Sequence, residues 1–134
     1  MEKRLICICG PTASGKTALS VALAKRLHTE IISADSMQLY KEMDIGTAKP
    51  TLEEQQGVRH HLIDVCEPGE PFSVAKYVEL ADAAAQDILS RGMIPVVIGG
   101  TGLYMDALIE CSNGCYHHLG HKSIFVLQFS INRK

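Results

Sequence analysis

The stretch Leu5-Ile6-Cys7-Ile8-Cys9-Gly10-Pro11-Thr12-Ala13-Ser14-Gly15-Lys16-Thr17 decides the fold. Its first five residues are apolar without interruption, the pattern of a strand covered on both faces. Residues 10–17 then match G-x-x-x-x-G-K-[ST], and residues 17–27 set Ala18, Val21, Ala22 and Ala24 among good helix formers. Strand, glycine loop and helix in that order make a phosphate cradle. The glycines let successive N–H groups point inward, the helix start adds partial positive charge, Lys16 adds a full one, and the Thr17 hydroxyl suits Mg²⁺. Such a P-loop holds a di- or triphosphate, and its residues alone leave open whether that is ATP, GTP or a prenyl diphosphate.

Working outward, the short apolar run 30–33 reads as a second strand that delivers Asp35 and Ser36 at its carboxyl end. The polar stretch 43–50 comes next as a candidate functional loop. Residues 61–65 are a third strand candidate, stopped by Pro68-Gly69-Glu70-Pro71. A helix is expected over 73–91, with Ser73 as N-cap, Tyr77, Leu80, Ala81, Ala84, Ile88 and Leu89 at three- and four-residue steps, and Gly92 as the stop. Residues 93–98 form a fourth, wholly apolar strand, closed by Gly99-Gly100 before a helix over about 101–110. Strands that alternate with helices and are continuously apolar imply a parallel sheet, and hence an α/β fold: a P-loop NTPase-like three-layer sandwich with a mainly parallel sheet. Such sheets bind ligands at the carboxyl ends of their strands, where this sequence puts the glycine loop, Asp35-Ser36 and Gly99-Gly100-Thr101. Position alone leaves Asp35 as general base, metal partner or turn cap, and Thr101 as part of an anion-binding turn or an N-cap.

The 134 residues suit one core, and 46% apolar content excludes a disordered chain. No apolar run approaches the roughly 20 residues of a membrane span, and Met1-Glu2-Lys3-Arg4 opens a poor signal peptide, so a cytoplasmic protein without a membrane is expected. A net charge of −2 lacks the basic surplus of a nucleic-acid binder, so any RNA contact must be local or come from segments outside this sequence. Acidic residues outnumber basic ones over 51–110, whereas 111–134 holds Lys122, Arg133 and Lys134 and no acid. That shift divides the chain into a core over 1–110 and an atypical tail over 111–134.

Five cysteines and no secretory signal argue against a disulfide framework, and Cys7 and Cys9 read as small apolar residues. The cluster Cys111, Cys115, His117, His118 and His121 has metal-type ligands at no standard zinc spacing, and His60-His61 reads as loop or core. The acids Glu53 and Glu54, and those scattered over 67–87, read as solvated faces.

Taken together, GPTASGKT (10–17), SADSMQLYKEMDIGTAKP (33–50), HHLID (60–64), PGEPFS (68–73) and VVIGGTGLY (96–104) resemble the tRNA dimethylallyltransferases, or tRNA isopentenyltransferases. The resemblance covers most of 1–110, in order. It implies transfer of a dimethylallyl group from dimethylallyl diphosphate to N6 of the adenine next to the tRNA anticodon, A37, with Mg²⁺ and release of diphosphate. It further implies that Gly10, Pro11, Thr12, Ala13, Ser14, Gly15, Lys16 and Thr17 hold the diphosphate, with Thr17 on the metal. By the same resemblance Asp35 is the general base, Thr101 lies beside the reacting base and leaving group, and Asp35, Ser36, Met37, Gln38 and Thr101 contact the tRNA.

Residues 111–134 resemble none of the family's later segments, which insert a helical tRNA-gripping domain, so the expectation is a core cut short and acting as a monomer. Two alternatives accompany this reading: a P-loop kinase of small metabolites, which shares the fold, and a non-catalytic remnant that binds diphosphate. Within the tail, 124–127 is apolar enough to add a strand at the sheet edge.

Overall fold

The computed structural model describes residues 3–9, 16–35, 39–41, 50–67, 69, 71, 73–99 and 122–128. These form β1 (Lys3–Cys9), α1 (Lys16–Leu27), β2 (Ile31–Ser33), α2 (Leu52–Gln55), β3 (His60–His61), α3 (Val74–Ser90), β4 (Val96–Gly99) and β5 (Lys122–Gln128). The five strands make one sheet in the order β3-β2-β4-β1-β5, and every pairing is parallel. The expected α/β architecture is present, and β5 occupies the edge next to β1 along seven paired positions, Lys3↔Lys122 to Cys9↔Gln128.

Alternation along the strands builds the two outer layers. Ile8, Ile31 and Val96 point to one face and pack with Val21 and Ala24 of α1. Leu5, Cys7, Ile32, Ala34 and Val97 point to the other and pack with Tyr77, Ala81, Ala85 and Ile88 of α3. The small Ala81 and Ala85 in the buried stripe of α3 let that helix lie close to the sheet. Cys7 and Cys66 are reduced and buried, as small apolar residues would be.

The helix ends obey their sequences. Ser73 caps α3 by accepting the Lys76 N–H at 3.1 Å. Gly92, at φ +80°, ends it, and the Met93 N–H returns to the Ile88 carbonyl at 3.2 Å. In α1 the same left-handed position is held by His28 at φ +52°, with the Thr29 N–H returning to the Ala24 carbonyl at 2.9 Å.

Two local expectations change. The strand read over 61–65 shrinks to His60–His61, because Leu62 (φ +65°) and Asp64 (φ +57°) turn left-handed and leave the ladder. The strand read over 93–98 begins at Val96. The acidic pair Glu53-Glu54 is exposed, as expected, and belongs to the short α2, where Thr51 and Glu54 form a capping box, with the Glu54 N–H on Thr51 Oγ1 at 3.0 Å and the Thr51 N–H on Glu54 Oε1 at 3.2 Å. The expected helix over 101–110 and the Cys/His cluster of the tail lie outside the described residues, and among those described no group of histidine, cysteine and acidic side chains is arranged to hold a metal. No described helix is long and apolar enough to cross a membrane.

Candidate functional site

Because all strands run parallel, their carboxyl ends share one edge. The register sets Cys9 opposite Gly99 and Ser33 opposite Ile98, so β1, β4 and β2 end side by side. β1 ends at this edge just before the glycine motif, and the described chain resumes at α1, whose first turn holds Lys16 and Thr17. Thr17 is half-buried, and its carbonyl accepts the Ser20 hydroxyl at 2.8 Å, which tightens that turn. Asp35, also half-buried, stands two residues past the end of β2. The structure therefore brings the exit of β1, the start of α1, Asp35 and the end of β4 to one edge. Gly10, Pro11, Thr12, Ala13, Ser14, Gly15, Ser36, Met37, Gln38 and Thr101 lie outside the described residues.

The backbone around Asp35 is held from several sides. The Ala34 N–H donates to the Ile98 carbonyl at 2.8 Å, and the Asp35 N–H reaches Ser33 Oγ at 3.4 Å. A Cβ added to Gly99 would lie 2.9 Å from both the Cβ and the carbonyl oxygen of Ala34, so only glycine lets β4 run this close to the residue before Asp35. Beyond the loop, the Leu39 carbonyl accepts the N–H groups of Val65 and Cys66 at 2.8 and 2.9 Å, and the Lys41 N–H donates to the Cys66 carbonyl at 2.8 Å. The left-handed Leu62 and Asp64 aim those two N–H groups at Leu39. The described chain on either side of residues 36–38 is thus fastened.

A second polar group sits on the amino side of the sheet, away from this edge. Glu30 precedes β2 and accepts both guanidinium nitrogens of Arg91 at 2.8 Å, as well as His61 Nε2 at 2.7 Å, while Arg91 also reaches Asp87 at 2.9 Å. The Arg91 bonds, joined by His61 against the opposing effect of burial, pull the Glu30 carboxyl down to about 2. His60 Nδ1–H donates to the Val58 carbonyl at 2.9 Å, and burial lowers its pKa. This cluster is a fastening between α3, β2 and β3. It gives His61 a bonded partner, where the sequence indicates only a loop or core position.

The Tyr77 hydroxyl donates to the Ser33 carbonyl, two residues before Asp35, at 3.0 Å, and Tyr77 is not among the residues singled out for the site from sequence, whereas Gly99 is placed at this edge by its motif. For Gly99 the signal was the Gly-Gly pair after an apolar strand. For Tyr77 only the helical stripe was visible, and that reads equally well as core.

Comparison with known proteins agrees with this arrangement. The IPP transferase family profile matches residues 38–118, and the isopentenyl transferase profile matches residues 3–67. The chain is 60% identical over 108 residues to the tRNA dimethylallyltransferase of Desulfitobacterium hafniense strain Y51, covering 81% of this chain and 34% of that one. To the enzyme of the same name from Anaeromyxobacter dehalogenans strain 2CP-C it is 58% identical, covering 80% and 36%. Among solved structures, the full-length tRNA isopentenylpyrophosphate transferase of Bacillus halodurans superposes with a TM-score of 0.78 at 53% identity, covering 90% of this chain and 38% of that one. A eukaryotic dimethylallyltransferase acting on tRNA superposes with a TM-score of 0.76 at 38% identity, covering 80% and 27%. The chain spans about a third of the length of the curated relatives it matches. With the family profile covering more than half of its residues and the P-loop fold in place, the chain belongs to the IPP transferase family.

Proposed function

We propose that this chain forms the diphosphate-binding core of a tRNA dimethylallyltransferase, which moves the dimethylallyl group of dimethylallyl diphosphate to N6 of adenine 37 beside the tRNA anticodon. The observation that supports this reading best is the shared edge where β1, β2 and β4 end, with β1, which leads to the P-loop motif, and β2, which leads to Asp35, on either side of β4. In the reaction the C–O bond to diphosphate breaks, the electron pair leaves with the diphosphate, a C–N6 bond forms, and one proton leaves N6. Negative charge gathers on the departing diphosphate, so loop N–H groups of 10–15, the α1 start and Lys16 favour the transition state over the ground state. Asp35 accepts the N6 proton as the new bond forms. Thr17 offers a hard oxygen donor of the kind Mg²⁺ takes and would hold the ion, which would supply further neutralisation of the diphosphate.

Ser36, Met37, Gln38 and Thr101 contact the tRNA in this reading, and Thr101 lies beside the reacting base. The target adenine lies in a single-stranded loop, where a base swings into a pocket at modest cost. The protein works as a cytoplasmic monomer.

The test is incubation of the 134-residue chain with radiolabelled dimethylallyl diphosphate, Mg²⁺ and unmodified tRNA, alongside Asp35→Ala and Lys16→Ala. Label on the RNA that drops at least about a hundredfold in Asp35→Ala is the expected result. Diphosphate binding that depends on Lys16 without any transfer would instead identify a core that binds the donor and does not turn it over.

A further inference from the structure

We infer that Tyr77, buried in α3, is a positioning residue for Asp35 and acts through the end of β2, an inference that rests on the proposed role of Asp35 as the base. In a parallel sheet alternate residues of a strand turn their backbone groups to opposite neighbours. In β2 the Ile31 N–H donates to Arg59 on the β3 side at 2.9 Å, whereas one residue past β2 the Ala34 N–H donates to Ile98 on the β4 side at 2.8 Å. Ser33, two residues after Ile31, therefore turns its carbonyl toward β3. That strand ends at His61, paired with Ile32, and Leu62 at φ +65° carries the chain out of the ladder. A buried carbonyl still requires a donor. Tyr77 supplies one: its hydroxyl, on a fully buried side chain 44 residues away, donates to the Ser33 carbonyl at 3.0 Å.

Ser33 in turn shapes the backbone leading to Asp35. It is 1% exposed, and its Oγ accepts the Asp35 N–H at 3.4 Å, a short turn closed by a hydroxyl. Ala34, between them, is tied to Ile98 and lies against Gly99. Two residues before Asp35 the strand end is thus fastened to α3 by Tyr77, and one residue before it to β4. Removing the Tyr77 hydroxyl keeps the tie to β4 and takes away the tie to α3, so the strand end is held less firmly. A small rotation there displaces the Asp35 carboxylate from a line of proton transfer, where misplacement by about an ångström is felt strongly. β1 and α1, which flank the proposed diphosphate-binding residues in sequence, take no part in this hydrogen bond.

Tyr77→Phe removes one oxygen and keeps the ring that fills the core; Ile88→Val, on the same buried stripe of α3, is the matched control that loosens packing without touching Ser33. Amide hydrogen exchange on the purified chain should quicken about tenfold at Ala34 and Asp35 in Tyr77→Phe, with β1 amides changed less than about twofold, and should show no such local pattern in Ile88→Val. In the label-transfer assay, kcat should fall about tenfold in Tyr77→Phe while KM for dimethylallyl diphosphate stays within about twofold. Unchanged exchange at Ala34 and Asp35, an even increase over the whole core, or the same kcat loss in Ile88→Val would overturn the inference. Should the wild-type chain transfer no label, the proposed turnover fails for this chain, and the exchange pattern alone decides the role of Tyr77.

Discussion

Gly99 shows how closely a single residue is constrained here. Its missing side chain lets β4 pass the Ala34 backbone, and a Cβ at 2.9 Å from the Ala34 carbonyl oxygen has no rotamer through which to escape. Gly99→Ala should cost about 1–3 kcal/mol in urea denaturation, the usual range for overpacking, and should lower label transfer at least about tenfold through displacement of Asp35. Loss of stability with full transfer would separate Gly99 from the site. The glycine pair was visible in the sequence as the end of an apolar strand, but the neighbour that demands a glycine was not. Asp35 was legible as a carboxylate past a strand end. Tyr77 was legible only as core, because a helical stripe says which side chains are buried and not where a hydroxyl finds its partner.

At the scale of elements, α1 and α3 end in the same way with different residues. Gly92 takes the left-handed position after α3 at φ +80°, where the backbone of glycine is unstrained. His28 takes the equivalent position after α1 at φ +52° and carries the cost of a side chain there. His28→Gly is therefore expected to raise the free energy of unfolding by up to about 1 kcal/mol, and Gly92→Ala to lower it by about 1 kcal/mol, both read from urea midpoints at constant slope. Equal and opposite shifts from those expected would mean that the caps are not what ends these helices. The stop after α3 could be read from Gly92 directly, whereas His28 gives no local signal of a left-handed turn. The short α2 had one: Thr51-Leu52-Glu53-Glu54 is a capping-box pattern within an acidic surface run. β3 failed as a longer strand because the left-handed Leu62 and Asp64 are set by the bonds that Val65 and Cys66 give to Leu39, and those partners are distant in sequence.

For the whole molecule, the amino side of the sheet is fastened by Glu30, His61, Arg91 and Asp87, drawn from the start of β2, from β3 and from the end of α3. Glu30 has its folded-state pKa lowered to about 2 from 4.5, so its contribution to stability is fully present above pH 4.5 and is lost as the pH falls toward 2. His60, whose pKa burial lowers from 6.5, works in the same direction: the unfolded chain takes up its proton first, and stability declines as the pH drops below 6.5. Urea midpoints measured from pH 7 to pH 3 should fall in the wild type, and the part of that fall below pH 4.5 should be clearly smaller in Glu30→Gln. An identical pH profile in the variant would show that the cluster does not sense the Glu30 charge. What the sequence determined by itself is the strand and the helix that flank the P-loop motif, the order of the main described elements, the parallel sheet and the edge on which Asp35 stands, because apolar runs, glycines and caps act on near neighbours along the chain. The tertiary structure alone decided the grip of Tyr77 on Ser33, the contact of Gly99 with Ala34 and the fastening around Glu30, because each joins groups from different elements that only the packing of α3 and the strands against one another brings within bonding distance.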